Sequence, residues 1–450
     1  MLILGCIADD YAGGLELANN LVAAGMRVTQ ILGVPRTPLD ESVDAVVISL
    51  KSRYAPPGDA VVSVLDAMLW LKTQGTSQIY FCFSPTFDSV FTGDEPHTRG
   101  NIGPVIDALI EALGIDFTAV VPAFPDKDCT LIKGHLFVGQ TLLSESTMHQ
   151  HPQTPMTDSN ALRVLKAQSR YNVGLIDLAQ VSDSSIAIQE RMVELRLKHV
   201  EMALIDATNT EDLMRIAVAV STMPLLSGSP GLGLCLPQNF DFEPNPLASL
   251  LPAASGRRAV LCGSCSDTSK RQIQYFHAAG HPVMALDPLK ISKFGPAKVA
   301  VAAMAWAKPL LQSSPVLFYS TADEAAIAVV QNLLGVADTG ALVEQCMAEI
   351  ARGLVALGVR QLLMAGSETG IACLSGLDIR QLRVGPLIEP GIPWCYSTFA
   401  SLVGSVDIGR RPDGTANTLA DTATEGLHFV VKPGLLGSDD FFTRAFDWMR

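Results

Sequence analysis

Short, nearly uninterrupted apolar runs alternate with segments of helical period along the whole chain, and no other feature restricts the fold as strongly. Leu2-Ile3-Leu4-Gly5-Cys6-Ile7, Ala45-Val46-Val47-Ile48-Ser49-Leu50 and Phe117-Thr118-Ala119-Val120-Val121 have the length and continuity of strands covered on both faces. Between them lie helical patterns over 60–71 and 102–113. Such alternation predicts an α/β fold built on a mostly parallel sheet flanked by helices. The first run hands over to Asp9-Asp10-Tyr11-Ala12-Gly13-Gly14-Leu15-Glu16 and then to a helical stretch. In open parallel sheets ligands bind at such carboxyl ends of strands. Gly13 and Gly14 would leave the helix's first N–H groups open to an anion. The competing reading is that Asp9 and Asp10 cap the helix.

At 450 residues the chain is too long for one ordinary core. Pro237, Pro244, Pro246, Pro252 and Gly256 interrupt the pattern, so the expected division is a first domain over 1–236, a linker over 237–257 and a second domain over 258–450. Each domain is expected to be a mostly parallel sheet flanked by helices, with a cleft between the two that a hinge can close. A net charge of −13 argues against a nucleic-acid partner, so any anion site has to be local. The N-terminal stretch has no signal-peptide pattern and no apolar run reaches the roughly 18 to 20 residues that span a bilayer. With nine cysteines, an odd number, these features point to a cytoplasmic protein in a reducing compartment, without a membrane partner. Cys262-Gly-Ser-Cys265 has redox spacing but lacks a thioredoxin-like context.

The strand ends carry an unusual share of polar residues. Lys51-Ser52-Arg53 follows the run at 45–50, and Ser84-Pro85-Thr86-Phe87-Asp88-Ser89 follows the one near 79–83. Two cations beside several carboxylates form a clamp for a small acid, Arg gripping a carboxylate bidentately and Lys acting as a point charge. A solvated loop is the alternative. His149 and His151 have metal-like spacing without a third ligand nearby, and Thr157-Asp158-Ser159 reads as the cap of a helix beginning at Ala161.

Seven ordered motifs together resemble the four-carbon acid sugar kinase family: Ala8-Asp9-Asp10-Tyr11, Lys51-Ser52-Arg53, Thr86-Phe87-Asp88-Ser89, Gly100-Asn101-Ile102-Gly103-Pro104-Val105, Pro122-Ala123-Phe124-Pro125, Gly134-His135-Leu136-Phe137-Val138-Gly139 and His151-Pro152 to Pro155-Met156-Thr157-Asp158-Ser159. Within that family these motifs resemble the 3-oxo-tetronate kinase branch more than the threonate or erythronate kinases. The resemblance implies an N-terminal acid-sugar-binding domain, a C-terminal nucleotide-binding domain, and ATP-dependent phosphorylation of the terminal hydroxyl of a four-carbon acid, with Mg²⁺ bridging the phosphates. Carried over position by position, it places Asp9, Asp10, Lys51, Arg53, Asp88, Ser89, His135 and Asp158 around the acid, with Asp10 and Asp88 catalytic and Asp10 the first choice of base. The nucleotide set is Gly263, Ser264 and Ser266, then Gly366, Ser367, Glu368 and Thr369, then Gly434 and Gly437. Each of these three turns follows an apolar run. The resemblance leaves metal ligands undefined and a homodimer open.

The chain departs from the family pattern at several points. Ala12 replaces a Thr and Glu16 an Asp. An insertion, Phe91 to His97, separates Asp88 from Gly100, and Cys129 stands where the family has an Arg. Ser367 and Pro433 alter two nucleotide turns, Pro433 removing an N–H donor, and a loop from about Ser401 to Gly426 is long for the family. These changes keep a second class of reading open, a homologue that binds an acid metabolite without phosphorylating it. An NAD-dependent oxidoreductase is a third, disfavoured because neither the P-loop nor the dinucleotide glycine fingerprint occurs in a strand-to-helix context.

Overall fold

The computed structural model describes residues 2–39, 42–88, 100–151, 154–320, 336–398 and 426–449. Ser89, the insertion at 91–97 and the loop at 401–425 lie outside the described residues. The chain divides into two compact units, Met1–Ser249 and Leu250–Arg450. That division falls inside the proline-rich stretch, where short 3-10 turns at Pro237–Phe240 and Pro246–Ser249 are the ordered elements.

The first unit contains β1 (Leu4–Ala8), β2 (Val28–Leu32), β3 (Ala45–Ser49), β4 (Gln78–Cys82), β5 (Thr118–Val121), β6 (Cys129–Ile132), β7 (His135–Val138), β8 (Thr141–Leu142), β9 (Val173–Ile176), β10 (Met202–Ile205) and β11 (Leu225–Gly228). Eight of these form one parallel sheet in the order β2-β3-β1-β4-β11-β5-β10-β9. β1, β3 and β4 are buried throughout, as their unbroken apolar sequences require. Ala8 is in register with both Ser49 and Cys82, so the chain leaves all three strands at one edge. Because β1 lies between β3 and β4, that edge is where the strand order reverses, the position at which such sheets bind ligands.

β6, β7 and β8 form a separate antiparallel sheet. The motif Gly134–Gly139 is thus largely a strand, entered through a hairpin turn in which Lys133 and Gly134 both have positive φ (49° and 72°). The buried carboxylate of Asp206 accepts the N–H groups of Lys133 at 2.5 Å and Gly134 at 2.9 Å and so holds the turn.

The second unit contains β12 (Arg257–Cys262), β13 (Val283–Ala285), β14 (Val316–Tyr319), β15 (Val359–Ala365), β16 (Gln381–Glu389), β17 (Ile392–Thr398) and β18 (Gly426–Lys432). Strands β13-β14-β12-β15-β18 are parallel. β17 and β16 continue the sheet antiparallel, a hairpin that the parallel expectation did not contain.

The helix Tyr11–Ala23 packs close to the sheet at Gly14, where an added Cβ would lie 1.9 Å from the Ser49 hydroxyl. Overpacking of this kind costs about 1–3 kcal/mol. Gly14→Ala is expected to lower the denaturant midpoint with an unchanged m-value, and equal midpoints would show that the helix can shift away from β3.

Candidate functional site

Three strand ends of the first unit assemble one polar cluster. After β1, Asp9 is buried, and its backbone carbonyl accepts the N–H groups of Ser52 (2.9 Å) and Arg53 (3.1 Å). The turn after β3 is thereby fastened to the turn after β1. The guanidinium of Arg53 then reaches Asp10 at 2.7 Å, Asp9 at 3.5 Å and Asp88 at 3.8 Å. Asp88 is aimed inward from a strained turn. Phe87 before it has φ of 53°, unfavourable for a bulky residue, and is held by complete burial and an edge-to-face contact with Phe83 at 5.3 Å. The hydroxyl of Thr86 donates to Asp88 at 2.5 Å.

Asp10 has two roles. One carboxylate oxygen accepts the Gly13 N–H at 2.5 Å, capping the helix, and the other faces Arg53. The expectation that the amides at Gly13 and Gly14 stand open to an external anion is therefore corrected. Gly13 donates to the Asp10 side chain and Gly14 to the Asp10 carbonyl at 3.1 Å, so the anion at this helix start is the protein's own. Arg53, expected to hold a substrate carboxylate, is engaged by three aspartates. Lys51 is the exposed cation of the turn, its ammonium 5.5 Å from the centre of the Tyr11 ring.

Three carboxylates around one guanidinium leave an excess of negative charge. The Asp9 carboxyl is pushed up to about 7, chiefly by burial; Arg53 pulls it down, whereas Asp10 and Asp88 push it further up. Unfolded, the same group titrates near 4, so between about pH 4 and 7 the folded protein binds a proton that the unfolded chain does not. The resulting stabilisation is complete below pH 4 and lost as pH rises through 7. Asp9→Asn, uncharged at every pH, is therefore expected to match the parent near pH 4 and to exceed it above pH 7 by a few kcal/mol, because each tenfold difference in proton affinity between the folded and unfolded states is worth about 1.4 kcal/mol. Denaturant unfolding at pH 4.5, 6 and 8 measures this, and a difference independent of pH would show that Asp9 is not the group holding the proton.

Asn101 was not assigned a role by the motif in which it stands. Its buried side-chain amide donates to the carbonyls of Ser52 (2.7 Å), Arg53 (3.3 Å) and Ala55 (3.0 Å), fixing the turn that carries Lys51 and Arg53. A polar residue immediately before an apolar helix, inside a Gly-Asn motif, was the available signal.

His135 and Asp158 have different partners. His135 Nδ1 lies 2.9 Å from the Lys133 carbonyl and Nε2 lies 3.2 Å from the Asn160 amide. Asp158 is gripped bidentately by Arg163 at 2.6 and 2.7 Å. Asn160, not the Thr157-Asp158-Ser159 triplet, caps the helix Ala161–Gln168 by accepting the Arg163 N–H at 2.8 Å. The His151 ring stacks on Tyr54 at 6.1 Å.

In the second unit the three small-residue turns meet. The Gly263 and Ser264 amides donate to the Ala365 carbonyl, and the Gly366 amide to the Lys432 carbonyl. Ser266 caps the helix Asp267–Ala278, accepting the Ser269 N–H at 3.1 Å while donating to the Gly434 carbonyl at 2.6 Å. A Cβ on Gly434 would lie 2.1 Å from the Ser264 hydroxyl, and one on Gly263 would lie 2.1 Å from that of Thr369, so close approach demands glycine at both positions. Gly437 (φ 89°) turns the chain so that Gln272, buried and missed in the sequence, donates to the carbonyls of Leu436, Gly437 and Ser438. Ser367, Glu368 and Thr369 form the first turn of the helix Ser367–Gly376, which has no side-chain cap. Its leading amides are thus suited to an anionic ligand.

The cysteines are all free, and all but Cys265 are buried. Burial pushes the Cys262 thiol up to about 11, away from the thiolate form that exchange with Cys265 would need.

Residues 4–236 match the family model of a sugar-binding N-terminal domain, and residues 259–442 match that of a nucleotide-binding C-terminal domain. A 3-oxo-tetronate kinase of Pseudomonas fluorescens is 40% identical, covering 98% of this chain and 96% of the relative. The chain belongs to the four-carbon acid sugar kinase family. A 3-oxo-tetronate kinase of Cupriavidus necator is likewise 40% identical over 98% of this chain and 96% of its own length. The solved structure of Haemophilus influenzae protein HI1011 has a TM-score of 0.81 at 32% identity, covering 99% of this chain and all of that one. Membership makes the protein a sugar-acid kinase, an enzyme that transfers a phosphoryl group to an alcohol. Among the described residues no helix is long and apolar enough to cross a membrane.

Proposed function

We propose that the protein transfers the γ-phosphoryl group of ATP to the terminal hydroxyl of a four-carbon acid sugar, a 3-oxo-tetronate in first place and otherwise a tetronate such as threonate or erythronate. The observation that carries this reading is the convergence of Asp9, Asp10 and Asp88 around Arg53 at the strand-order reversal of the unit that matches a sugar-binding domain. Lys51, exposed beside the cluster, binds the acid's carboxylate. Asp9 and Asp88 orient its hydroxyls, and Asp10, partly exposed at the helix start, takes the proton of the attacking hydroxyl. The Ser264, Ser266 and Gly434 turns, with the uncapped start of the helix at Ser367, hold the nucleotide phosphates. Magnesium would rest mainly on phosphate oxygens and water, neutralising charge as phosphoryl transfer requires. The nine free thiols support a cytoplasmic setting.

An ATP-consumption screen across 3-oxo-tetronates, tetronates and longer aldonates tests the proposal. Turnover confined to longer aldonates would overturn the four-carbon assignment. Cys129 favours a second reading. It is a buried thiol where the family pattern has an arginine, and because a thiol has no cationic form it brings no positive charge to the site. A protein that binds the acid without phosphorylating it would be stabilised thermally by the acid and unaffected by Mg-ATP.

A further inference from the structure

Lys432 ends β18 and is 1% exposed. Its ammonium donates to the carbonyls of Leu436 at 2.7 Å, Pro433 at 3.1 Å and Gly434 at 3.3 Å, all in the turn that follows it. The rings of Phe441 and Phe442 each have their centre 5.9 Å away. Among the described residues no carboxylate forms an ion pair with it. Glu389 on β16 acts on it electrostatically but is itself held by Arg444 and by the Ser438 hydroxyl at 2.7 Å. The Cys262 thiol on β12 also acts on it electrostatically. A buried ammonium satisfied by carbonyl dipoles alone is short of a counter-charge, and burial holds Lys432 down to about 8.

The Gly434 carbonyl that accepts from Lys432 also receives the Ser266 and Ser269 hydroxyls. Lys432 therefore sits beneath the junction of the turns assigned to the nucleotide. We infer that Lys432 is a positioning residue for this site, its ammonium shaping the 433–437 turn from below and receiving its missing counter-charge from the polyphosphate bound there. The inference deepens the nucleotide reading given above and rests on it.

If polyphosphate supplies the counter-charge, nucleotide binding raises the affinity of Lys432 for its proton, and the enzyme takes up a proton as it binds. The test is calorimetry of Mg-ATP binding to the full-length protein in buffers of different ionisation enthalpy. Near pH 8 the expected uptake is about half a proton, falling toward zero at pH 6.5, where the group is already charged. The dissociation constant should rise about tenfold between pH 7 and 9, since each pH step above the free-state value costs up to tenfold. Lys432→Met should bind more weakly at pH 7 and lose that pH dependence, a flattening that general damage to the fold would not produce. Mg-ATP binding by the unaltered protein without buffer-dependent heat at pH 8 and with an affinity constant from pH 7 to 9 would overturn the role of Lys432 while leaving the nucleotide site intact. Absence of Mg-ATP binding at every pH would overturn the kinase reading and this inference with it.

Discussion

Asp10→Asn is expected to lower kcat by about 10²–10⁴-fold, the usual contribution of a positioned general base, with little change in stability. The asymmetry follows from the two roles of this carboxylate. Its capping oxygen accepts the Gly13 N–H at 2.5 Å, and asparagine offers an equivalent acceptor that caps a helix as well as aspartate does. What asparagine lacks is the negative charge that faces Arg53 at 2.7 Å and the capacity to accept a proton. Steady-state kinetics with the acid identified by the substrate screen, alongside thermal unfolding, separates the two roles. Loss of turnover with an intact melting transition marks chemistry. Full turnover would remove Asp10 as the base and shift attention to Asp88, whose carboxylate is restrained by Thr86.

Arg53→Met should have the largest effect on stability. Methionine retains much of the apolar stem but leaves Asp9, Asp10 and Asp88 without the guanidinium that lies 2.7 to 3.8 Å from each. Removing one partner from a buried charged group costs about 3–5 kcal/mol, because the remaining charge is left uncompensated. For a domain of this size that corresponds to a fall in Tm of roughly 10 °C. The sign of the pH dependence distinguishes electrostatics from packing. Without Arg53 the folded Asp9 carboxyl holds its proton more tightly, so the deficit relative to the parent should be largest at pH 8 and shrink as pH falls toward 5. A deficit of constant size would show that the arginine acts through its stem. The substrate's KM should rise too, since Arg53 lies in the turn that presents Lys51.

Much of the frame was legible in the residues. The continuous apolar runs that became β1, β3, β4, β5, β12, β14, β15 and β18 announce strands buried on both faces, because only a sheet covered by helices tolerates such runs. The hairpin Gln381–Thr398 and the small antiparallel sheet 129–142 were not recognised. Their sequences mix Arg, Pro, Lys and Gly with apolar residues, and their strand character depends on partners that local pattern does not specify.

The sequence alone determined which residues stand at the strand ends, because strand length and apolar continuity decide where a chain leaves a parallel sheet. It also placed small residues at Gly263, Gly366 and Gly434, where the second unit's turns close on one another. Only the tertiary structure decided how charge is shared. Arg53 is shared among three aspartates, Lys51 of the same turn is exposed, and Lys432 lies buried against carbonyls. Residues from three separate strand ends meet around Arg53. The energies of that network depend on burial and on distances of a few ångströms, which are set by strand order and register together with the local turns that aim each side chain.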